Sequence, residues 1–104
     1  MNYLVQILLP LRDNDGWPFP EDDYLQVGRE LGARFGGLTA YTRAPAEGVW
    51  HPGRARTTSR DDIVVFEVMV RELDGDWWRE YRRDLEDRFR QDVVIVRALS
   101  MRLL

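Results

Sequence analysis

The residues of this chain that could do chemistry are few and scattered. Glu67 sits in an apolar run, Ile63-Val64-Val65-Phe66-Glu67-Val68-Met69-Val70, where a carboxyl must find a donor or have its pKa raised by desolvation. Raised in that way, Glu67 would suit general acid or base work, with Tyr41 and His51 as companions. Tyr41, Arg43, Trp50, His51 and Arg54 cluster along one stretch, and an aromatic, Arg-bearing segment can wall a ligand pocket. The competing reading is structural. Gln6 on a neighbouring strand could donate to Glu67, Trp50 could plug the end of the core, and His51, held between Trp50 and Pro52, lacks an identified partner. Gln6, Arg43, Trp50 and Arg54 are the ligand-binding candidates; Glu67, Tyr41 and His51 are the catalytic ones.

Other clusters have plainer explanations. Asp13, Asp15, Asp22 and Asp23 lack the Asp-x-Asp-x-Asp-Gly calcium pattern and suit turns and helix capping. Arg54 to Arg60 holds three arginines that could meet an anion, but Asp61-Asp62 follows to balance them. No cysteine is present, which excludes disulfides and thiolate chemistry, and a single His makes a nitrogen-ligated metal site improbable. No metal and no cofactor are expected. The net charge of -3 gives no footprint for nucleic acid. All 15 basic residues are Arg, a bias best assigned to coding in a GC-rich genome.

These residues must be positioned by secondary structure, and the order of elements is legible. The chain's 104 residues suit one domain, 1–104. Tyr3 to Leu9 alternates as a strand and ends at Pro10. Pro20 to Phe35 carries Tyr24, Val27, Leu31 and Phe35 at helical spacing, with Glu21-Asp22-Asp23 at its start and Gly36-Gly37 at its stop. Gly28 and Gly32 beside that stripe suggest close packing on a sheet. Leu38 to Arg43 reads as a second strand and Ala44 to Arg60 as a long hairpin connection. Ile63 to Val70 is the clearest strand. Trp77 to Arg90 is a second helix with Trp78, Tyr81, Leu85 and Phe89 as its stripe, supported by Arg83–Asp87 and Glu86–Arg90 pairs. Trp77, about 100° away from Trp78, should pack at the sheet margin or on a partner. Asp92 to Leu99 is the last strand, with Ser100 to Leu104 as a tail or edge.

Strand, helix, strand, strand, helix, strand predicts an α+β, ferredoxin-like β-α-β-β-α-β fold: a four-stranded antiparallel sheet with two helices on one face. The run Phe35-Gly-Gly-Leu-Thr-Ala-Tyr41, then Gly48-Val-Trp50, the Ile63–Val70 strand and a Trp-bearing helix resembles a group of small uncharacterised bacterial proteins. The resemblance implies architecture and carries no activity or catalytic residue.

The uncovered sheet face is then the informative feature. With Val64, Phe66, Val68 and Val70 toward the helices, Ile63, Val65 and Met69 face outward, joined by Leu4 and Leu8 and interrupted by Gln6 and Glu67. Such a patch calls for a cover: a second subunit, the tail Met101 to Leu104, or a ligand. The first expectation is a homodimer through this face with a small-ligand-binding role. The alternatives are a cofactor-independent dimeric α+β-barrel enzyme of monooxygenase or isomerase type, and a PII-like regulator. No motif decides whether the protein is an enzyme. The apolar start is too short to span a bilayer and lacks the features of a signal peptide, so a cytoplasmic location without membrane attachment is expected.

Overall fold

A computed structural model describes residues 2–36, 39–46 and 61–104, of which 39–46 and 61–62 are described by backbone alone. The elements are β1 (Asn2–Pro10), α1 (Glu21–Phe35), β2 (Thr39–Ala46), β3 (Asp61–Val70), α2 (Gly75–Arg88) and β4 (Ile95–Met101). Two-residue alternation builds the central pair: β1 and β3 run antiparallel with Val5 opposite Val68, Ile7 opposite Phe66 and Leu9 opposite Val64. All six of these side chains are buried, so one register places both apolar sets on a single face. β4 pairs with the other edge of β1, also antiparallel.

The expected ferredoxin-like arrangement of four matched strands is corrected at this point. The part described to the level of side chains is three antiparallel strands, β3-β1-β4, and two helices in the order β-α-β-α-β. β2 adds to the free edge of β3 through backbone pairing, giving the strand order β2-β3-β1-β4. Its composition explains the difference. Thr39–Ala46 holds three alanines and Pro45, so it offers little apolar area, and a proline confines it to an edge.

Both helices cover the face that carries Val5, Ile7 and Phe66. Tyr24, Val27 and Leu31 of α1 and Trp78, Tyr81 and Leu85 of α2 are buried against it, with Phe19, Phe89 and Val94 closing the end. The Tyr24 hydroxyl donates to the Pro10 carbonyl at 2.5 Å, tying α1 to the end of β1. α1 starts one residue later than its prolines suggest, with Pro20 extended as its cap residue, and stops at Gly36. Gly36 adopts φ 65° and donates its N–H to Gly32, a left-handed stop that favours glycine. Of the two glycines expected to pack closely, only Gly28 does: a methyl there would lie 3.7 Å from the Phe66 ring, whereas one on Gly32 would meet nothing within 4 Å.

The C-terminal part differs most from expectation. α2 begins at Gly75, where the Asp74 carboxylate accepts the Trp77 N–H at 3.2 Å, and ends at Arg88. The chain then reverses through Arg90, whose φ is 51°. The Glu86 carboxylate accepts the Val94 N–H at 3.0 Å, which uses that donor outside the sheet and delays β4 to Ile95. The expected Arg83–Asp87 and Glu86–Arg90 pairs are not among the ion pairs of the described residues. Glu86 meets Arg82 instead, at 3.6 Å, and Arg90 reaches Asp13 at 3.6 Å. Trp77 stacks on Tyr81 and meets Phe35 and Trp78 edge-on, with the Arg34 guanidinium 4.9 Å from its ring. Among the described residues, no helix is long and apolar enough to cross a membrane.

Candidate functional site

The helix-free face of the sheet is organised as three rows across the strands. Leu4 stands between Met69 and Leu99, Gln6 between Glu67 and Arg97, and Leu8 between Val65 and Ile95. The upper and lower rows are apolar; Met69, Ile95 and Leu99 are each about half exposed, at 47%, 50% and 45%. The middle row is polar and continuous. Gln6 Nε2 donates to Glu67 Oε2 at 2.7 Å, and Arg97 Nε donates to Gln6 Oε1 at 2.7 Å. A carboxylate can only accept and a guanidinium can only donate, so the two neighbours fix which way the Gln6 amide points. The row therefore has a direction, negative at β3 and positive at β4.

Glu67 is thus engaged by Gln6, and cross-strand pairing is its role in the described structure. Tyr41 and Arg43 fall at different register positions from Glu67: Tyr41 pairs with Phe66 and Arg43 with Val64, while Ala40 is the β2 partner of Glu67. Trp50, His51 and Arg54 lie outside the described residues. Of the sequence candidates, Gln6 and Glu67 are brought together and Arg97 joins them. Arg97 was missed because the expected last strand, Asp92 to Leu99, was read without a register. Its place opposite Gln6 follows only once β4 is aligned with β1.

A crevice of about 450 Å³ opens at the other end of the sheet, where β1 passes into α1. The loop is built by its turn residues. Asp13 Oδ1 accepts the backbone N–H groups of Asp15 and Trp17, both at 2.9 Å. Gly16 turns at φ 89°, and a bridge between Arg12 and Pro18 closes the loop. A turn role is thus what Asp13 supplies, α1 has no side-chain cap hydrogen bond at its start, and no group of three or more His, Cys, Asp or Glu among the described residues could hold a metal. Pro10, Leu11 and Ile63 give the crevice an apolar side; Arg12, Asn14 and Gln91 line it with polar groups. Arg12 spends one N–H on the Gly16 carbonyl at 3.2 Å.

A third cluster joins the two helices. Glu30 of α1 accepts the Tyr81 hydroxyl at 2.7 Å and a forked pair from Arg88, at 2.7 and 3.2 Å. Burial alone would raise the Glu30 pKa, but hydrogen bonds from Arg88, Tyr81 and Gln26 outweigh it and hold the carboxyl below its ordinary range. Burial and the Glu30 contact push the Tyr81 hydroxyl well above the usual phenol range. For Arg88, burial works against the charge, and Glu30 more than restores it. The cluster is a clasp between α1 and α2; Arg88 also reaches Asp84 at 3.1 Å, and its Nε is buried without a partner among the described residues.

No family model and no curated protein matches the chain. Among solved structures it is similar to a phage SAM lyase in complex with S-methyl-5'-thioadenosine, with a TM-score of 0.58 over 95% of this chain and 81% of that one. Sequence identity is 15%, so the likeness shows a shared fold.

Proposed function

We propose that the protein binds a small organic ligand in the crevice between the end of β1 and the loop that leads into α1. The observation that supports this reading is the crevice itself. Its volume of about 450 Å³ lies in the range of small-molecule sites, and an apolar side with a few convergent polar groups is how such sites achieve orientation. Pro10, Leu11 and Ile63 would take the apolar part of the ligand. Arg12, whose fork spends one N–H on Gly16 among the described residues, would take a carboxylate, hydroxyl or ring nitrogen, and Asn14 and Gln91 would supply further donors and acceptors. A nucleoside thioether fits this chemistry in size and polarity. The similar fold of a lyase that holds S-methyl-5'-thioadenosine makes that molecule the first probe.

The test is a titration of the isotopically labelled protein with S-methyl-5'-thioadenosine and S-adenosylmethionine, followed by amide resonances. Binding in the crevice shifts the signals of Leu11, Asn14, Ile63 and Gln91, and Arg12→Ala weakens it about tenfold, the worth of one charge-assisted hydrogen bond. Absence of shifts at millimolar ligand, or shifts that Arg12→Ala leaves unchanged, would reject the reading for this ligand class at this site.

A further inference from the structure

The helix-free sheet face carries information about what covers it. The C-terminal tail does not. Met101 is still paired with Asn2 in the sheet, and Leu103 and Leu104 are exposed at 64% and 110%, so the last residues do not fold back over the rows. The covering surface must be apolar above and below a polar middle, and it must offer a positive group opposite Glu67 and a negative one opposite Arg97. The face itself meets both conditions.

We propose that a second copy of the chain packs on this face as a two-fold dimer, and that the Glu67–Gln6–Arg97 row sets the direction of the axis. Neighbouring strands lie about 4.8 Å apart, so Glu67 on β3 and Arg97 on β4 stand roughly 10 Å apart on either side of Gln6. A two-fold axis lying in the interface parallel to β1, and passing over Gln6, exchanges the β3 side of one copy with the β4 side of the other. Glu67 then faces the partner's Arg97, and Arg97 faces the partner's Glu67. The same operation lays Met69 on Leu99 and Val65 on Ile95, apolar on apolar. An axis along the row would instead set Glu67 on Glu67 and Arg97 on Arg97, and like charges face to face cost binding strongly.

The reach is sufficient. Packed sheets lie about 10 Å apart, and extended Glu and Arg side chains together span that distance. Each ion has capacity left for the contact. Only Oε2 of Glu67 and only Nε of Arg97 are engaged with Gln6, which leaves the other carboxylate oxygen and the terminal fork without a partner among the described residues. The area suits a modest dimer. The three strands that overlap about this axis, β3, β1 and β4, cover roughly 14 × 30 Å, at the small end of specific interfaces once both partners are counted. This dimer stands independently of ligand binding in the crevice, which lies at the end of the sheet.

Charge exchange tests the proposal. Sedimentation equilibrium of the wild-type protein should show twice the 12.3 kDa chain mass at micromolar concentration. Glu67→Arg and Arg97→Glu should each place like charges face to face and raise the dimer dissociation constant about a hundredfold. The double variant restores opposite charges and should dimerise as the wild type does. An equimolar mixture of the two single variants should form a heterodimer although neither associates alone. Circular dichroism separates lost association from lost folding, and recovery in the double variant and in the mixture does so again. A wild-type monomer at 100 µM (about this concentration being ample for such an interface) would overturn the proposal, as would single variants that still dimerise. Recovery in the double variant without any heterodimer in the mixture would overturn the two-fold axis.

Discussion

Replacing Glu30 by Gln removes one charge from the clasp between the helices and little else. The amide keeps the shape of the carboxylate and can still accept from the Tyr81 hydroxyl. What is lost is the charge that meets the Arg88 fork at 2.7 and 3.2 Å. The exposure of the pair decides the magnitude: the Arg88 and Glu30 side chains retain 29% and 32% of their accessible area. A fully exposed pair contributes about 0.2–1 kcal/mol, while hydrogen bonds to charged groups contribute about 1.5–3 kcal/mol. A partly buried, forked pair falls between, so Glu30→Gln should cost about 1–2 kcal/mol at pH 7, lowering Tm by roughly 4–12 °C for a domain of this size. The sign with pH follows from the direction of the Glu30 shift. Its folded pKa is depressed below the ordinary 4.5, so its contribution is fully present above that value and is lost as pH falls through the folded pKa. The gap between wild type and variant should therefore close progressively below about pH 4.5. Urea unfolding of both proteins from pH 7 to pH 3 measures it. A gap under about 0.3 kcal/mol at pH 7, or one that stays constant down to pH 3, would refute the assignment of the clasp as a stabilising ionic contact.

Substitutions at four further positions separate backbone from packing effects. Gly32→Ala, in a helix interior where a methyl meets nothing within 4 Å, should stabilise by about 0.5–1 kcal/mol in urea unfolding. Gly36→Ala, at φ 65°, should destabilise by about 1 kcal/mol in the same assay, and a gain there would contradict the left-handed stop. Asp74→Ala removes the carboxylate that accepts the Trp77 N–H and should cost about 1 kcal/mol, with Asp74→Asn costing less. Phe89→Ala, which empties a fully buried site between Phe19 and Tyr24, should cost about 3–5 kcal/mol and lower Tm in calorimetry.

The parts of the molecule legible in the sequence are those fixed by a short period. Alternation in Tyr3 to Leu9 and in Ile63 to Val70 assigns Val5, Ile7, Leu9, Val64, Phe66 and Val68 to one face, and all are buried. The same alternation leaves Gln6 and Glu67 together on the other, where they bond. The helical stripes Tyr24–Val27–Leu31 and Trp78–Tyr81–Leu85 are read in the same way. Contacts between elements that no period links were not legible. Glu30 meets Arg88 across 58 positions of chain, and Arg97 meets Gln6 across 91; nothing local marks any of these residues among the chain's many other charges. The start of β4 was misplaced for a related reason. Val93 and Val94 have strong strand propensity, but Val94 is drawn into the core and its N–H is taken by Glu86, a tertiary contact that overrides local preference.

The same distinction explains why the uncovered face proved more informative than the individual reactive residues. Tyr41, His51 and Glu67 were candidates because of what each side chain can do alone; Glu67 is bonded to Gln6, Tyr41 is described by backbone alone and His51 lies outside the described residues. Glu67 acquires meaning only through its row: a carboxylate beside an amide beside a guanidinium, each one strand apart. Two apolar rows without charges between them could slide or rotate against many surfaces. A charged row with a negative end and a positive end admits few orientations, because every misalignment sets an ion against hydrocarbon or against its like. In the proposed dimer, the polar residues that interrupt the apolar patch are thus the ones that would make its pairing specific.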